Sequence, residues 1–290
     1  MVLLFGIRPF EFSDFIGMIE QGKIDISNVN YVQVVKDSLQ DKFTHFEVTA
    51  DLAYVLPGLL SEEVINQLTE LKKQNKYSCS VHLPLWSIEL ASPNEHIKNA
   101  SIECLVNAIE LTKKLDPICW VVHATGALIS EFGTIQLPDF AKSFITSVFA
   151  STAQKSLEQI IDLTDISPRK LAVENVEFPF REMDECITTL DLSVCFDTGH
   201  LLAGYSGEWG GGVIEFFEMY RDRIVEFHLH DGMKPRIDHK PLGEYDLPVN
   251  ELLGKLLDTN FHGPIVFELN LDELKKSMDY IQEIVPEALF

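Results

Sequence analysis

LSVCFDTGH, residues 192–200, is the stretch whose reading decides the fold. A short β-prone run leads into Asp197, a Thr-Gly pair turns the chain, and His200 follows at once. A buried strand that delivers a carboxylate and an imidazole at its C-terminal end is what a parallel α/β barrel requires, because chemistry there sits on the loops after the strands.

The same pattern recurs on either side. SCSVHL (78–83) carries His82, CWVVHA (119–124) carries His123, and LAVENV (171–176) carries Glu174. IVEFHLH (224–230) carries His228 and His230, and PIVFEL (264–269) carries Glu268. LLFGI (3–7) and HFEVTA (45–50) bring the strand candidates to eight. Amphipathic segments lie between them. SEEVINQLTELKKQ (61–74) opens on Ser61 and an acidic turn and closes on a basic one, as the helix dipole prefers. Residues 94–115 and 246–260 read as further helices, the second closed by Gly263-Pro264. Repeated β-then-α alternation predicts a (β/α)8 TIM barrel of class α/β, with residues 1–290 as one domain. Residues 8–44 are expected to hold a loop, a helix and a further short element.

Composition narrows the setting. With 23 Lys and Arg against 45 Asp and Glu, the formal net charge is −22. A duplex-binding protein needs a basic footprint to displace counterions, so nucleic acid is not an expected partner. The five cysteines contain no CxxC pair, and Cys79, Cys119 and Cys195 fall inside strand candidates, as core thiols do. A cytoplasmic location is expected. MVLLFGIRPFEF lacks the basic start and small-residue cleavage site of a signal peptide, and no apolar stretch reaches the roughly 18 residues of a membrane helix.

The placement of histidine carries the functional reading. His82, His123, His200, His228, His230 and His239 lie at or just past apolar runs, whereas His96 and His262 fall in polar stretches. With Glu174, Asp197, Asp238 and Glu268 they offer imidazole and carboxylate to one rim, a ligand set suited to Zn²⁺, Mn²⁺ or Co²⁺. In FHLHD the two histidines are two residues apart and share one strand face, so one is expected to bind metal and the other, His230, to contact substrate or orient a ligand. Trp86 and Trp209 in βα loops are candidates to stack on a substrate ring, and Arg8, Arg181, Lys234 and Arg236 to hold a substrate anion. Gly207, Gly210, Gly211 and Gly212 read as a flexible βα loop.

The succession SVHLP, VVHATG, VEN, FDTGH, FHLHD, DHKPLGE and VFEL, spanning residues 78–270 in order, resembles the xylose isomerase-like TIM-barrel superfamily, which includes endonuclease IV and sugar isomerases and epimerases. The resemblance implies a core metal site of Glu174, Asp197, His228 and Glu268, with His200 as a substrate contact. The endonuclease IV branch holds up to three ions, and likeness to it implies His82, His123, His200 and His239 as additional ligands. One departure touches the third ion: Ile237 stands where that branch has an aspartate, and Asp238 immediately precedes His239. HLPLW (82–86), residues 109–123, FHLHDG and DHKPL are similar to cobamide-remodelling phosphodiesterases, a likeness that the N-terminal 77 residues do not share.

Two reactions follow as expectations. The first is hydrolysis of a phosphodiester in a small, cobamide-like molecule by a metal-bound hydroxide, using one to three divalent ions. The second is isomerisation or epimerisation of a sugar or sugar phosphate, with Glu174 and Glu268 moving a proton across an enediolate. Glu174, Glu268 and His200 are the catalytic candidates.

Overall fold

The structure is a computed structural model that describes residues 2–9, 29–39, 43–56, 58–127, 129, 138–207 and 209–289. Eight parallel strands close into a barrel: β1 (Leu4–Ile7), β2 (His45–Thr49), β3 (Ser78–His82), β4 (Trp120–Val122), β5 (Leu171–Glu174), β6 (Ser193–Asp197), β7 (Ile224–Leu229) and β10 (Pro264–Phe267). Each pairs with its neighbours in sequence order, and β10 closes against β1, with Leu4 opposite Pro264 and Ile7 opposite Phe267. The expected (β/α)8 architecture is present. Two further strands, β8 (Asp231–Met233) and β9 (Ile237–Lys240), form an antiparallel hairpin after β7.

The helices are α1 (Tyr31–Leu39), α2 (Leu52–Val55), α3 (Glu62–Asn75), α4 (Glu95–Thr112), α5 (Asp139–Thr164), α6 (Asp184–Thr189), α7 (Thr198–Ala203), α8 (Val213–Tyr220), α9 (Val249–Asp258) and α10 (Leu271–Ile284). Ser61 caps α3 by accepting the Val64 N–H, and Lys76 ends it in the left-handed region at φ 59°. Of the elements expected in residues 8–44, α1 is present; residues 10–28 and 40–42 lie outside the described residues.

Local chemistry changes one expectation. Asp197-Thr-Gly-His200 is the first turn of α7 instead of an open turn: the Asp197 carboxylate caps the helix, its Oδ1 accepting the His200 N–H at 2.6 Å. The carboxylate that ends the strand therefore also fixes where His200 points. Strands stop one residue short of several rim residues, so His123, His230 and Glu268 each follow their strand directly.

The barrel interior is polar over much of its length. Alternation along the strands gives one face to His45 and Glu47 on β2, Ser78, Ser80 and His82 on β3, and Glu226 and His228 on β7. Gly6 makes room for the first of these, since a Cβ there would lie 2.7 Å from the His45 ring. Outside the sheet, Phe196, Phe216, Phe227 and Phe261 form a continuous aromatic layer, Phe196 stacked on Phe216 at 4.3 Å and Phe261 edge-on to Phe227.

The loop after β9 hangs on one buried side chain. Asp231 Oδ1 accepts the N–H groups of Gly232 (2.8 Å) and Leu247 (2.9 Å), and Oδ2 those of Gly243 (3.0 Å) and Tyr245 (2.9 Å). Asp231→Ala is expected to lower unfolding free energy in urea by about 3 kcal/mol, the cost of stranding buried donors. A loss below about 1 kcal/mol would mean that the loop re-satisfies these groups by itself.

Candidate metal centre

At the C-terminal mouth of the barrel the rim side chains converge, and Glu174 is their hub. Its Oε2 lies 3.2 Å from His82 Nε2 and 3.2 Å from His123 Nε2. Its Oε1 lies 3.0 Å from His200 Nδ1 and 3.7 Å from His228 Nδ1. The two oxygens of one carboxylate thus face two different sets of imidazoles.

Outer hydrogen bonds decide which nitrogen each ring offers. His82 Nδ1 is 2.9 Å from the Leu83 carbonyl, which can only accept, so Nδ1 carries a proton and Nε2 faces Glu174. His123 Nδ1 is 3.4 Å from the Glu177 carboxylate, which orients that ring in the same sense. His228 Nδ1 faces Glu268 Oε1 at 3.0 Å and Asp197 Oδ2 at 3.7 Å, while its Nε2 points down the barrel to Glu47. All of these rings are buried or nearly so.

His230, expected to contact substrate or orient a ligand, makes its polar contacts within the protein. It is fully buried, its Nδ1 accepts the His239 backbone N–H at 2.9 Å, and its Nε2 lies 2.9 Å from Asp197 Oδ2. Both ring nitrogens are engaged within the protein, which places His230 behind Asp197 as the group that orients that carboxylate. The ring also stacks on His239, with centroids 4.2 Å apart and planes 12° from parallel.

Asp238, the residue after Ile237, reaches the rim. Asp238 Oδ2 lies 3.6 Å from His200 Nε2 and 3.3 Å from His239 Nδ1, and His239 Nε2 lies 3.2 Å from Glu268 Oε2. His239 adopts φ 49° in the left-handed region. His200, Asp238 and His239 thereby form an outer group at the rim.

The remaining expected residues are more dispersed. Arg8 turns inward, its Nη2 2.6 Å from Glu268 Oε1, so its charge meets a site carboxylate. Arg236 lies over the Tyr205 ring at 5.3 Å, and Tyr205 packs edge-on against His200 at 5.4 Å, which ties Arg236 to the rim through that ring. Arg181 stacks on Trp209 at 4.8 Å, and Trp209 packs on Phe216. The glycine-rich segment folds back here, with the Trp209 indole N–H donating to the Gly212 carbonyl at 3.3 Å. Trp86 is 43% exposed on the loop after β3, where Asp51 accepts its backbone N–H.

Sequence reasoning passed over Glu47, Glu177, Glu226 and Asp231. For Glu226 a signal existed: it sits two residues before His228 and so shares its inward face.

Electrostatics fit this donor set to cations. Burial alone would push the Glu174 carboxyl up, but His123, His228 and His200 outweigh it and hold the group well below its usual range. Burial would strip His123 of its proton, yet Glu174 and Glu177 raise it to about 10. In the metal-free protein, imidazole protons therefore supply positive charge that a divalent ion would otherwise bring. Glu174 Oε1, His200 Nδ1 and His228 Nδ1 are buried without a hydrogen bond, although they lie within ion-pair reach of one another. Candidate ligand atoms of Glu174, Asp197 and His228 fall within 4.8 Å of each other, as do those of His82, His123 and Glu174. Oxygen and imidazole donors at this spacing suit a borderline-hard divalent ion.

A family model described as a xylose isomerase-like TIM barrel matches residues 37–284. Two uncharacterised proteins of Methanocaldococcus jannaschii are similar in sequence: MJ1311 is 25% identical over 239 residues, covering 77% of this chain and 75% of that protein, and MJ1614 is 23% identical over 223 residues, covering 74% and 81%. Among solved structures, a D-tagatose 3-epimerase-like protein superposes with a TM-score of 0.71 at 21% identity, covering 99% of this chain and 98% of that one. Endonuclease IV from Thermus thermophilus superposes with a TM-score of 0.65 at 20% identity, covering 89% and 95%. At these identities the structural likeness is one of fold. No helix among the described residues is long and apolar enough to cross a membrane.

Proposed function

The chain belongs to the xylose isomerase-like TIM-barrel family, and from that premise we propose that it is a divalent-metal-dependent hydrolase of a phosphodiester in a small, cobamide-like or nucleotide-like molecule. The observation that carries this reading is the split environment of Glu174, with His82 and His123 on one oxygen and His200 and His228 on the other. A carboxylate so placed would serve two cation sites, one through each oxygen's set of imidazoles. The first would be held by His82, His123 and Glu174, the second by Glu174, Asp197, His228 and Glu268, and a third by His200, Asp238 and His239. Bound there, divalent ions supply hydroxide near neutral pH and neutralise charge on the attacked diester.

The chain's own residues do the rest. Glu177 and the Leu83 carbonyl hold the two outer rings in the ligating orientation, and His230 holds Asp197. Arg236 at the rim would grip the diester oxygens. The net charge of −22 favours a small anion drawn in by local cations over a long polyanion.

Sugar epimerisation is the second reading. It needs only Glu174, Asp197, His228 and Glu268, and it leaves His82 and His123 as substrate contacts.

Metal content of the purified protein, measured for the wild type and for His82→Ala and His123→Ala, separates the two. Hydrolysis predicts two or more ions, one lost in either variant together with cleavage of a model diester such as bis-p-nitrophenyl phosphate. A single ion unaffected by both substitutions, with solvent hydrogen exchange into a ketose, would instead establish the epimerase.

A further inference from the structure

Beneath the centre, on the side away from the rim, a column of polar side chains descends through the barrel interior. His228 Nε2 lies 3.3 Å from Glu47 Oε2 and 3.8 Å from Glu226 Oε1, and candidate ligand atoms of the three residues fall within 4.8 Å of one another. Ser80 Oγ donates to Glu226 Oε1 at 2.8 Å, His45 Nε2 lies 3.0 Å from Ser80 Oγ, and His45 Nδ1 lies 2.9 Å from Ser78 Oγ. Every member except Ser78 is fully buried. Such groups are costly to bury unless each is paired, and here they pair with one another.

The donors set a direction. Ser80 has one proton and gives it to Glu226, so it accepts from His45, whose Nε2 must then carry hydrogen and whose Nδ1 faces the Ser78 hydroxyl. At the upper end a carboxylate of Glu47 can only accept, so the proton shared with His228 sits on Nε2. His228 Nδ1 faces the carboxylates of Glu268, Glu174 and Asp197, so it is the nitrogen whose proton a cation there would replace.

We propose that Glu47 is a positioning residue of the metal centre: by accepting the Nε2–H of His228 it determines that Nδ1 is the nitrogen offered to a cation, and the column through Glu226, Ser80, His45 and Ser78 fixes the far side of this contact. The assignment rests on the metal-centre reading above, but it concerns a ring's tautomer and not the reaction. Glu47 touches no substrate in this scheme and acts only through His228.

The test uses the intact protein with isotope-labelled histidine nitrogens, read by NMR without metal and loaded with Zn²⁺. Nε2 of His228 is expected to hold its proton in both states, with only Nδ1 changing on zinc uptake. In chelator competition, Glu47→Ala is expected to weaken Zn²⁺ binding by about 10- to 100-fold. Glu47→Gln, whose amide oxygen still accepts from Nε2–H, should recover most of that loss. Zinc on Nε2 would overturn the proposal, and so would a Glu47→Ala protein that folds and binds Zn²⁺ within about twofold of wild type. A wild-type protein that keeps the Nε2 proton yet takes up no zinc would sink the metal-centre reading while supporting the tautomer assignment.

Discussion

Glu174→Gln is expected to empty both inner cation sites at once, and to weaken metal binding by more than the roughly 100-fold that loss of an outer partner costs. The amide keeps the size of the side chain but has one oxygen where two are needed, since Oε1 and Oε2 face different sets of imidazoles. Metal retained after dialysis measures the effect, and Glu177→Gln, which touches only His123, is the milder control. Two ions kept by Glu174→Gln would remove this residue from the centre.

The same variant has a signature without metal. In the wild type, His123 sits near pH 10 against an ordinary value of 6.5, so it contributes stability that is fully present below about 6.5 and lost as pH rises through about 10. Glu174 is the largest acidic influence sustaining that shift. Glu174→Gln should therefore flatten the decline in melting temperature across that window.

Gly199→Ala is the second large effect, and it sets helix propensity against packing. Gly199 lies in α7, where alanine is the better helix former by about 1 kcal/mol, so propensity alone predicts stabilisation. A Cβ there would instead lie 2.0 Å from His230 Nδ1 and 2.1 Å from Cε1. The ring has nowhere to go, being held by Asp197 and the His239 N–H and stacked on His239. Sterics wins, with a loss of about 1–3 kcal/mol in urea unfolding and weakened metal retention as Asp197 loses its orienting partner. Truncating the ring in the double variant Gly199→Ala/His230→Ala should return much of the stability without restoring the metal. A single variant as stable as wild type, with its full metal content, would refute the argument.

Strand existence, strand order and the convergence of the inner rim side chains were legible in the sequence because they follow from short-range patterns. An apolar run ending in His82, Glu174 or Asp197 announces itself within a few residues. For His230 the sequence left two roles open, substrate contact and ligand orientation: spacing placed it on the same face as His228, but its Nδ1 contact comes from the His239 backbone, which the β8–β9 hairpin brings back against it. Asp238 was legible as a rim carboxylate; its 3.6 Å approach to His200, beside the left-handed backbone at His239, was not. Glu47 was hidden for another reason. A glutamate in HFEVT reads as the solvent side of a strand, and only closure of the barrel reveals that this face looks inward.

The contact between Arg8 and Glu268 stands at the seam where the first strand meets the last. Nearly the whole chain lies between those two residues, and bringing them together carries one of the largest loop-closure costs in the molecule. The proposed inner ligands run from His82 on β3 to Glu268 just past β10, and β1 and β2 stand between those two ends, so closing the seam brings the ends of the row together. On the proposed reading, cation capture would be completed by the closed ring. Until the seam closes, the acidic side chains destined for the mouth stay in water, where their mutual repulsion is screened and their hydration is intact.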